Sequence, residues 1–197
     1  QSPVKMFPVG LGYITTAIKN AGFDFDLLDI DLYRYSDTQI EQLIQKKKYD
    51  VVCMGCIVTG YKIVKILSSV IRAYHPSCKI VIGNTVASSI PDILLKKTEA
   101  DIAVMGEGDI TIVDLLNNIS ESVKLENVSG ICFIKNGEIV KTPSRPLIKD
   151  ISTLPYIDFS DYDVESYIQN SATYVSEPLP IPREEVRLLP LNTARGC

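Results

Sequence analysis

No run of apolar residues in this chain approaches the roughly 18 that a helix needs to cross a bilayer. No secretory leader is visible at its start. Basic charge is also short: 20 lysines and arginines stand against 24 aspartates and glutamates, for a formal net charge of −4. The only basic run, Lys46-Lys47-Lys48, reads as the solvated end of a helix, where cations suit the dipole. Without a basic stripe to neutralise phosphates, nucleic acid is excluded as an expected partner. Five cysteines (Cys53, Cys56, Cys78, Cys132 and Cys197) are few, odd in number and irregularly spaced. They suit a reducing, cytoplasmic setting better than a disulfide scaffold. Cys53-Met-Gly-Cys56 has no second pair with which to hold zinc. It lies in an apolar run instead of at a helix start, so it reads as core packing. The sequence has one histidine, His75; followed by Pro76, it reads as a surface turn, and no Ser–His–Asp set can be built around it.

What the chain does have is an ordinary globular balance, 46% hydrophobic and 22% charged over 197 residues, enough for a core without disulfides. Residues 10 to 119 alternate helical stripes with short apolar runs. Tyr13, Ile14, Ala17, Ile18 and Ala21 form a stripe closed by Gly22, and Phe23 to Ile30 reads as a strand. Ser36 to Gln39 looks like a capping box ahead of Ile40, Leu43 and Ile44. Asp50 to Cys56 reads as a strand buried on both faces. Ile63, Ile66, Leu67, Val70, Ile71 and Tyr74 make an amphipathic helix. Lys79 to Gly83 is a strand, Ser89 to Lys97 a helix with Pro91 in its first turn, Asp101 to Met105 a strand, and Ile112 to Ile119 a last stripe.

This alternation predicts right-handed βαβ crossovers and an α/β, doubly wound, flavodoxin- or Rossmann-like parallel sheet. The series opens on a helix, so a first strand is expected upstream or from elsewhere. Gly130 to Lys141 predicts a C-terminal β-hairpin turning at Asn136-Gly137. Seven of the eleven prolines fall between Pro143 and Pro190, which predicts an extended Pro-rich tail. The expected divisions are an α/β domain over 1–125, a hairpin appendage over 126–145 and a linker over 146–197.

In such a sheet, ligands bind outside the carboxyl ends of the strands. Four glycine-bearing segments are expected there: Pro8 to Tyr13, Gly55 to Gly60, Gly83 to Ser88, and Gly106 to Asp109. Glycine lets backbone approach a ligand closely, and four such loops on one edge suggest a large, flat ligand. Gly10-Leu-Gly12 with Asp29 or Asp31 also partly fits a dinucleotide fingerprint, but Thr15 replaces the third glycine and no convincing strand precedes it. Gly83-Asn84-Thr85 partly fits a flavin phosphate loop. Glu107, between two glycines, either caps the next helix or touches a ligand.

Taken in order, these segments resemble the cobalamin-binding domain that precedes a radical-SAM domain. They are Pro8 to Tyr13, Leu27-Leu28-Asp29, Asp50 to Gly55 with Tyr61, Val81 to Ser88 with Pro91, Asp101 to Asp109, Gly130 to Pro146, Ile151 to Asp158, and Thr193-Ala-Arg-Gly-Cys197. Asn84 stands where the family pattern has the second glycine of a pair, and Val86 where histidine is frequent. The resemblance implies a corrinoid contacted by Gly10, Gly12, Thr59, Gly83, Asn84, Gly106, Glu107 and Gly108, with no histidine lower ligand. It implies that Cys197 is the first cysteine of a CxxxCxxC motif for a [4Fe–4S] cluster that binds S-adenosylmethionine in a following domain. Methyl transfer or a related radical reaction is the implied activity. A docking module that has lost the cofactor is the alternative, favoured by Asn84 and Val86. A nucleotide-binding oxidoreductase is a second alternative, resting on Gly10 and Gly12.

Overall fold

The structure, a computed structural model, describes residues 5–119, 122–171 and 181–192. Its helices are α1 (Val9–Asn20), α2 (Ile30–Tyr33), α3 (Asp37–Gln45), α4 (Tyr61–Tyr74), α5 (Asn84–Ser89), α6 (Pro91–Lys97), α7 (Asp109–Asn118) and α8 (Val164–Asn170). Its strands are β1 (Val51–Gly55), β2 (Lys79–Gly83), β3 (Ile102–Val104), β4 (Ile131–Lys135) and β5 (Glu138–Lys141). The chain forms two compact units, one of Asp37–Lys149 and one joining Gln1–Ser36 to Asp150–Cys197.

The first unit is built on a five-stranded sheet in the order β1-β2-β3-β4-β5. β1, β2 and β3 run parallel, with Val51 opposite Lys79 and Gly55 opposite Gly83. β4 and β5 are antiparallel additions. The interior strand β2 is apolar throughout its middle: Ile80, Val81 and Ile82 are all buried, as a parallel strand covered on both faces must be. Val86, Ala87, Leu94, Ile112 and Leu115 from the helices complete its core. The hairpin turn is the expected Asn136-Gly137, with φ of 53° and 82°, the conformation that matches the twist of the flanking strands.

Several expectations need correction. The hairpin is no appendage, because β4 pairs along β3 and continues the sheet. By contacts the chain divides at 36/37 and 149/150. β1 is not buried on both faces. It has a partner on one side only among the described residues, and Cys53 within it is exposed. On α4 the buried positions are Val64, Ser68 and Ile71, while Ile63, Ile66 and Tyr74 of the apolar stripe lie open. The helix expected over Ser89–Lys97 forms as α6 with Pro91 in its first turn, but the short helix α5 ahead of it was not expected. His75 is buried: its Nε2 lies 2.8 Å from the Ile44 carbonyl, and its ring meets Tyr49 edge-on.

In the other unit, Phe23 to Asp29 forms no strand. It keeps strand-like alternation, with Phe23, Phe25 and Leu27 half-buried and Asp24 and Asp26 exposed, yet no ladder forms there. The tail is not wholly extended, since α8 forms within it, capped by Asp163. Phe7, Leu32, Tyr162 and Tyr167 make this unit's core, with Phe7 4.9 Å from the Tyr162 ring and 5.5 Å from that of Tyr167. No described helix is long and apolar enough to cross a membrane.

The amino ends of β2 and β3 are pinned by Arg72. Its guanidinium donates to the carbonyls of Cys78 and Glu99 and to Asp101 Oδ2 at 2.6 Å, while Asp101 also accepts from the Ile80 amide. Arg72→Ala is expected to destabilise the protein by about 2–4 kcal/mol, because several half-buried acceptors lose their donor together. Arg72→Lys should recover only part of this, since an ammonium cannot reproduce the fork. Urea titration followed by circular dichroism measures both.

Candidate functional site

Each parallel strand delivers its following loop to the same edge of the sheet, so three of the four glycine segments meet there by topology. Gly55 and Gly83 are register partners. The segments are then tied in sequence. The Cys56 amide donates to the Gly83 carbonyl and the Val86 amide to the Cys56 carbonyl. The Gly106 amide donates to Ser88 Oγ at 3.0 Å. The edge is thus one braced surface in place of three independent loops.

Its composition is mixed. A side-chain carbon placed on Gly83 or Gly106 would meet nothing within 4 Å, and one on Gly55 only Asn84 Cβ at 3.9 Å. Ile57, Val58 and Ile110 are exposed by 57%, 42% and 48%. Thr59, Asn84, Thr85 and Ser88 are exposed polar neighbours. Open backbone flanked by uncovered apolar side chains and hydroxyls offers a face to a large amphipathic ligand. Ser88, Ile57, Val58 and Ile110 were not among the sequence candidates. Ser88 lies inside a segment that had been singled out, but nothing local marks its link to Gly106.

Segment 83–88 is mostly the helix α5, not a loop. Asn84 opens it with φ of 68° and accepts the Thr85 amide on its own Oδ1. Asparagine is the side chain best able to take that left-handed conformation after glycine, so Asn84 preserves a glycine's backbone. Val86 is fully buried and presents nothing to the edge. Thr59 sits in a 3-10 turn, Val58–Gly60. A side-chain carbon on Gly60 would lie 1.9 Å from Cys56 Sγ, so Gly60 exists to seat that thiol.

Glu107 is half-buried. Its Oε2 accepts the Ile148 amide at 2.7 Å, and its side chain does not cap α7. Gly108 is the residue before α7.

Gly10 and Gly12 belong to the other unit and lie within α1, not in a loop, with the Gly12 amide bonded to the Pro8 carbonyl. A side-chain carbon on Gly12 would lie 2.9 Å from Ile157 Cγ2 and 3.2 Å from Phe7. Gly12 is therefore a close-packing glycine, whereas Gly10 has open space around it. Asp29 is likewise structural: it caps α2 through the Leu32 amide and accepts the Tyr167 hydroxyl. With its glycines helical and its acid engaged, the dinucleotide fingerprint is not formed. Cys197 lies outside the described residues.

Burial pushes up the thiols of Cys53, Cys56, Cys78 and Cys132; for Cys53, on the open edge strand, solvent moderates the shift. None is a ready thiolate, and no cluster of three or more His, Cys, Asp or Glu that could hold a metal occurs among the described residues. A hollow of about 280 Å³ lies at the amino end of the sheet, lined by Lys79, Asp101, Phe133 and Lys135 among others. It is far from the glycine edge in the topology and shares no residue with it.

Gly12→Ala should cost about 1–3 kcal/mol by overpacking, and Gly10→Ala should be neutral or stabilising by up to ~1 kcal/mol; thermal melts separate the two. In a Cys197→Ser background, a disulfide reagent at pH 8 should label the native thiols more slowly than the urea-unfolded ones, because a raised pKa leaves less thiolate. Because the folded state holds these protons longer, stability should fall as pH rises above about 8.5.

Comparison with known proteins gives a consistent picture. A family model described as the B12 binding domain matches residues 1–116. An uncharacterised methyltransferase of Pyrococcus horikoshii is 20% identical over 161 residues, covering 81% of this chain and 35% of that protein. An anaerobic magnesium-protoporphyrin IX monomethyl ester cyclase of Cereibacter sphaeroides is 26% identical over 197 residues, covering 96% of this chain and 30% of its own. The chain thus spans about a third of the length of these curated relatives. Among solved structures, the radical S-adenosylmethionine methyltransferase TsrM from Kitasatospora setae, with cobalamin and a [4Fe–4S] cluster bound, superposes with a TM-score of 0.63 at 20% identity, over 77% of this chain and 28% of that one. The cobalamin-dependent S-adenosylmethionine radical enzyme OxsB, with aqua-cobalamin and S-adenosylmethionine bound, gives 0.61 at 19% identity, over 74% and 21%. At these identities the likeness is one of fold.

Proposed function

This chain belongs to the B12-binding domain family, and from that premise we propose that the carboxyl edge of its sheet holds a corrinoid as the cofactor-carrying part of a radical-SAM enzyme. The observation that carries the reading is the open backbone at Gly83 and Gly106, where an added side chain would meet nothing within 4 Å, set between exposed Ile57, Val58 and Ile110. The residues present fit a broad, flat group. Gly83, Asn84, Gly106 and Gly108 would let backbone lie against it, and Thr59 and Ser88 would offer hydroxyls. Gly10 stays a candidate in its own unit, where it is open; Gly12 is taken up by packing against Ile157 and Phe7 and the Glu107 carboxylate by the Ile148 amide.

When bound, a corrinoid supplies a cobalt-carried methyl group. The chain's own part is to bind it, fix its orientation and keep water from it. His75 is at the C-cap of α4, the end that leads into β2 and so the opposite end of the sheet, and its Nε2 is engaged by Ile44. It would not reach a corrinoid held at the glycine edge. The names of the relatives support methyl transfer as the reaction class. Cys197, as first cysteine of a cluster motif with [4Fe–4S] and S-adenosylmethionine, a following radical-SAM domain and a cytoplasmic setting belong to the same proposal. So does a further parallel strand beside β1, whose outer edge is unpaired among the described residues and carries no charge, proline or bulge to guard it.

Anaerobic titration with hydroxocobalamin should give co-elution near one equivalent and a shifted corrin spectrum. Gly83→Leu should weaken binding by tenfold or more while leaving circular dichroism unchanged, because Gly83 has φ of −121°, which any residue adopts. Absence of co-elution from the wild type would sink the reading in favour of a docking module.

A further inference from the structure

We propose that Glu107 and Arg145 are positioning residues: together they latch the segment after the hairpin onto the β3–α7 loop and give that loop a single shape at the cofactor edge. The proposal rests on the corrinoid reading above for the ligand that meets the loop.

The loop needs such a device. Gly106 and Gly108 flank Glu107, and glycine backbone has the most freedom to lose on ordering. Left to itself, the loop would have to be ordered by whatever binds it, at the expense of affinity. Glu107 counters this from inside, its carboxylate accepting the Ile148 amide at 2.7 Å. Arg145 holds the same segment three residues earlier. Its Nε donates to Thr111 Oγ1 at 2.9 Å and its Nη2 to Asp114 Oδ2. The Thr111 hydroxyl donates in turn to the Glu107 carbonyl at 3.1 Å. The contacts therefore close a ring: strap to α7, α7 to loop, loop back to strap.

Gly130 makes room for the ring. Its amide donates to the Pro143 carbonyl and its carbonyl accepts the Met105 amide, both at 2.8 Å. Its φ is +81°, and a side-chain carbon there would meet Met105 O at 3.3 Å, Thr111 Oγ1 at 3.4 Å and Arg145 Cβ at 3.5 Å. On its far side the loop is tied to α5 by the Gly106 amide on Ser88 Oγ. Two residues that look like surface charges in a polar loop thus fix the backbone at Gly106, one of the two most open points of the edge. Neither has to touch a ligand to matter.

The test compares wild type, Glu107→Ala, Glu107→Gln and Arg145→Ala in the full chain, by amide hydrogen exchange and by hydroxocobalamin titration. Glutamine keeps an oxygen that accepts from Ile148; alanine does not. Glu107→Ala should speed exchange at Ile148 and across 105–110 by tenfold or more. It should weaken cobalamin binding about tenfold and leave the spectrum of the bound form unchanged. Glu107→Gln should restore exchange and affinity to within about threefold, and Arg145→Ala should act in the same direction as Glu107→Ala. Glutamine binding as poorly as alanine, or altering the bound spectrum, would mean that the carboxylate meets the ligand itself and would overturn the proposal. So would an alanine variant that frees Ile148 but keeps full affinity. Wild type that binds no cobalamin would defeat the corrinoid reading, whereas unchanged exchange at Ile148 in Glu107→Ala would defeat the latch independently.

Discussion

The parallel register of β1, β2 and β3 is the constraint on which the rest of the sheet unit depends. A parallel pair can be joined only by a crossover that carries the chain back along the sheet, so β1, β2 and β3 all end at one edge and the connections between them return the chain to the other. With Gly55 set opposite Gly83 and Ile82 opposite Ala103, the turns that follow the strands emerge side by side. The two edges then carry opposite characters. The amino edge is stiffened by the Arg72–Asp101 pair and by His75 on the Ile44 carbonyl. The carboxyl edge is made of open glycine backbone, held in shape by hydrogen bonds running across it from Cys56 to Gly83, from Ser88 to Gly106 and from Glu107 to Ile148. A binding edge made only of glycine would be floppy, and one made only of packed side chains would be closed. The cross-links allow it to be open and ordered at once.

Features set by a few neighbouring residues were legible in the sequence. Asn136-Gly137 dictates its own turn, and the Lys79–Gly83 run declares a covered strand because nothing polar interrupts its middle. The gathering of three of the four glycine segments at the sheet edge was legible as well, because alternation of strand and helix fixes the crossover. What the sequence hid was the identity of the neighbours. The stripe on α4 shows which residues are apolar, but only the packing decides that Val64 and Ile71 are covered while Ile63 and Ile66 are not. Phe23 to Asp29 has the alternation of a strand, but a strand exists only where another pairs with it. His75 looked like a surface turn because nothing in His75-Pro76 foretells Ile44 or Tyr49.

The glycines make the same distinction more sharply. Gly12 and Gly83 read alike in a sequence, each beside a helix and each in a segment that suggests close approach to a ligand. In the structure, Gly12 is small because Ile157 and Phe7 press against it, whereas Gly83 faces open space. The nearer of these partners, Ile157, lies more than 140 positions away in the chain, beyond the reach of any local pattern. Only the second kind of glycine gives evidence of a ligand.

The same reasoning bears on the two residues that depart from the family's pattern. A lost glycine matters if the position needs freedom from a side chain, or if it needs a left-handed backbone. Asn84 meets the second need, with φ of 68°, and its exposed side chain turns back onto the Thr85 amide instead of lying across the edge. A lost histidine matters if its side chain reached the ligand. Val86 instead fills the core beneath α5 with no exposed surface, so its site contributes to folding and not to contact. Neither departure removes anything that the open backbone at Gly83 and Gly106 supplies, and the case against a cofactor at this edge loses the two residues on which it rested.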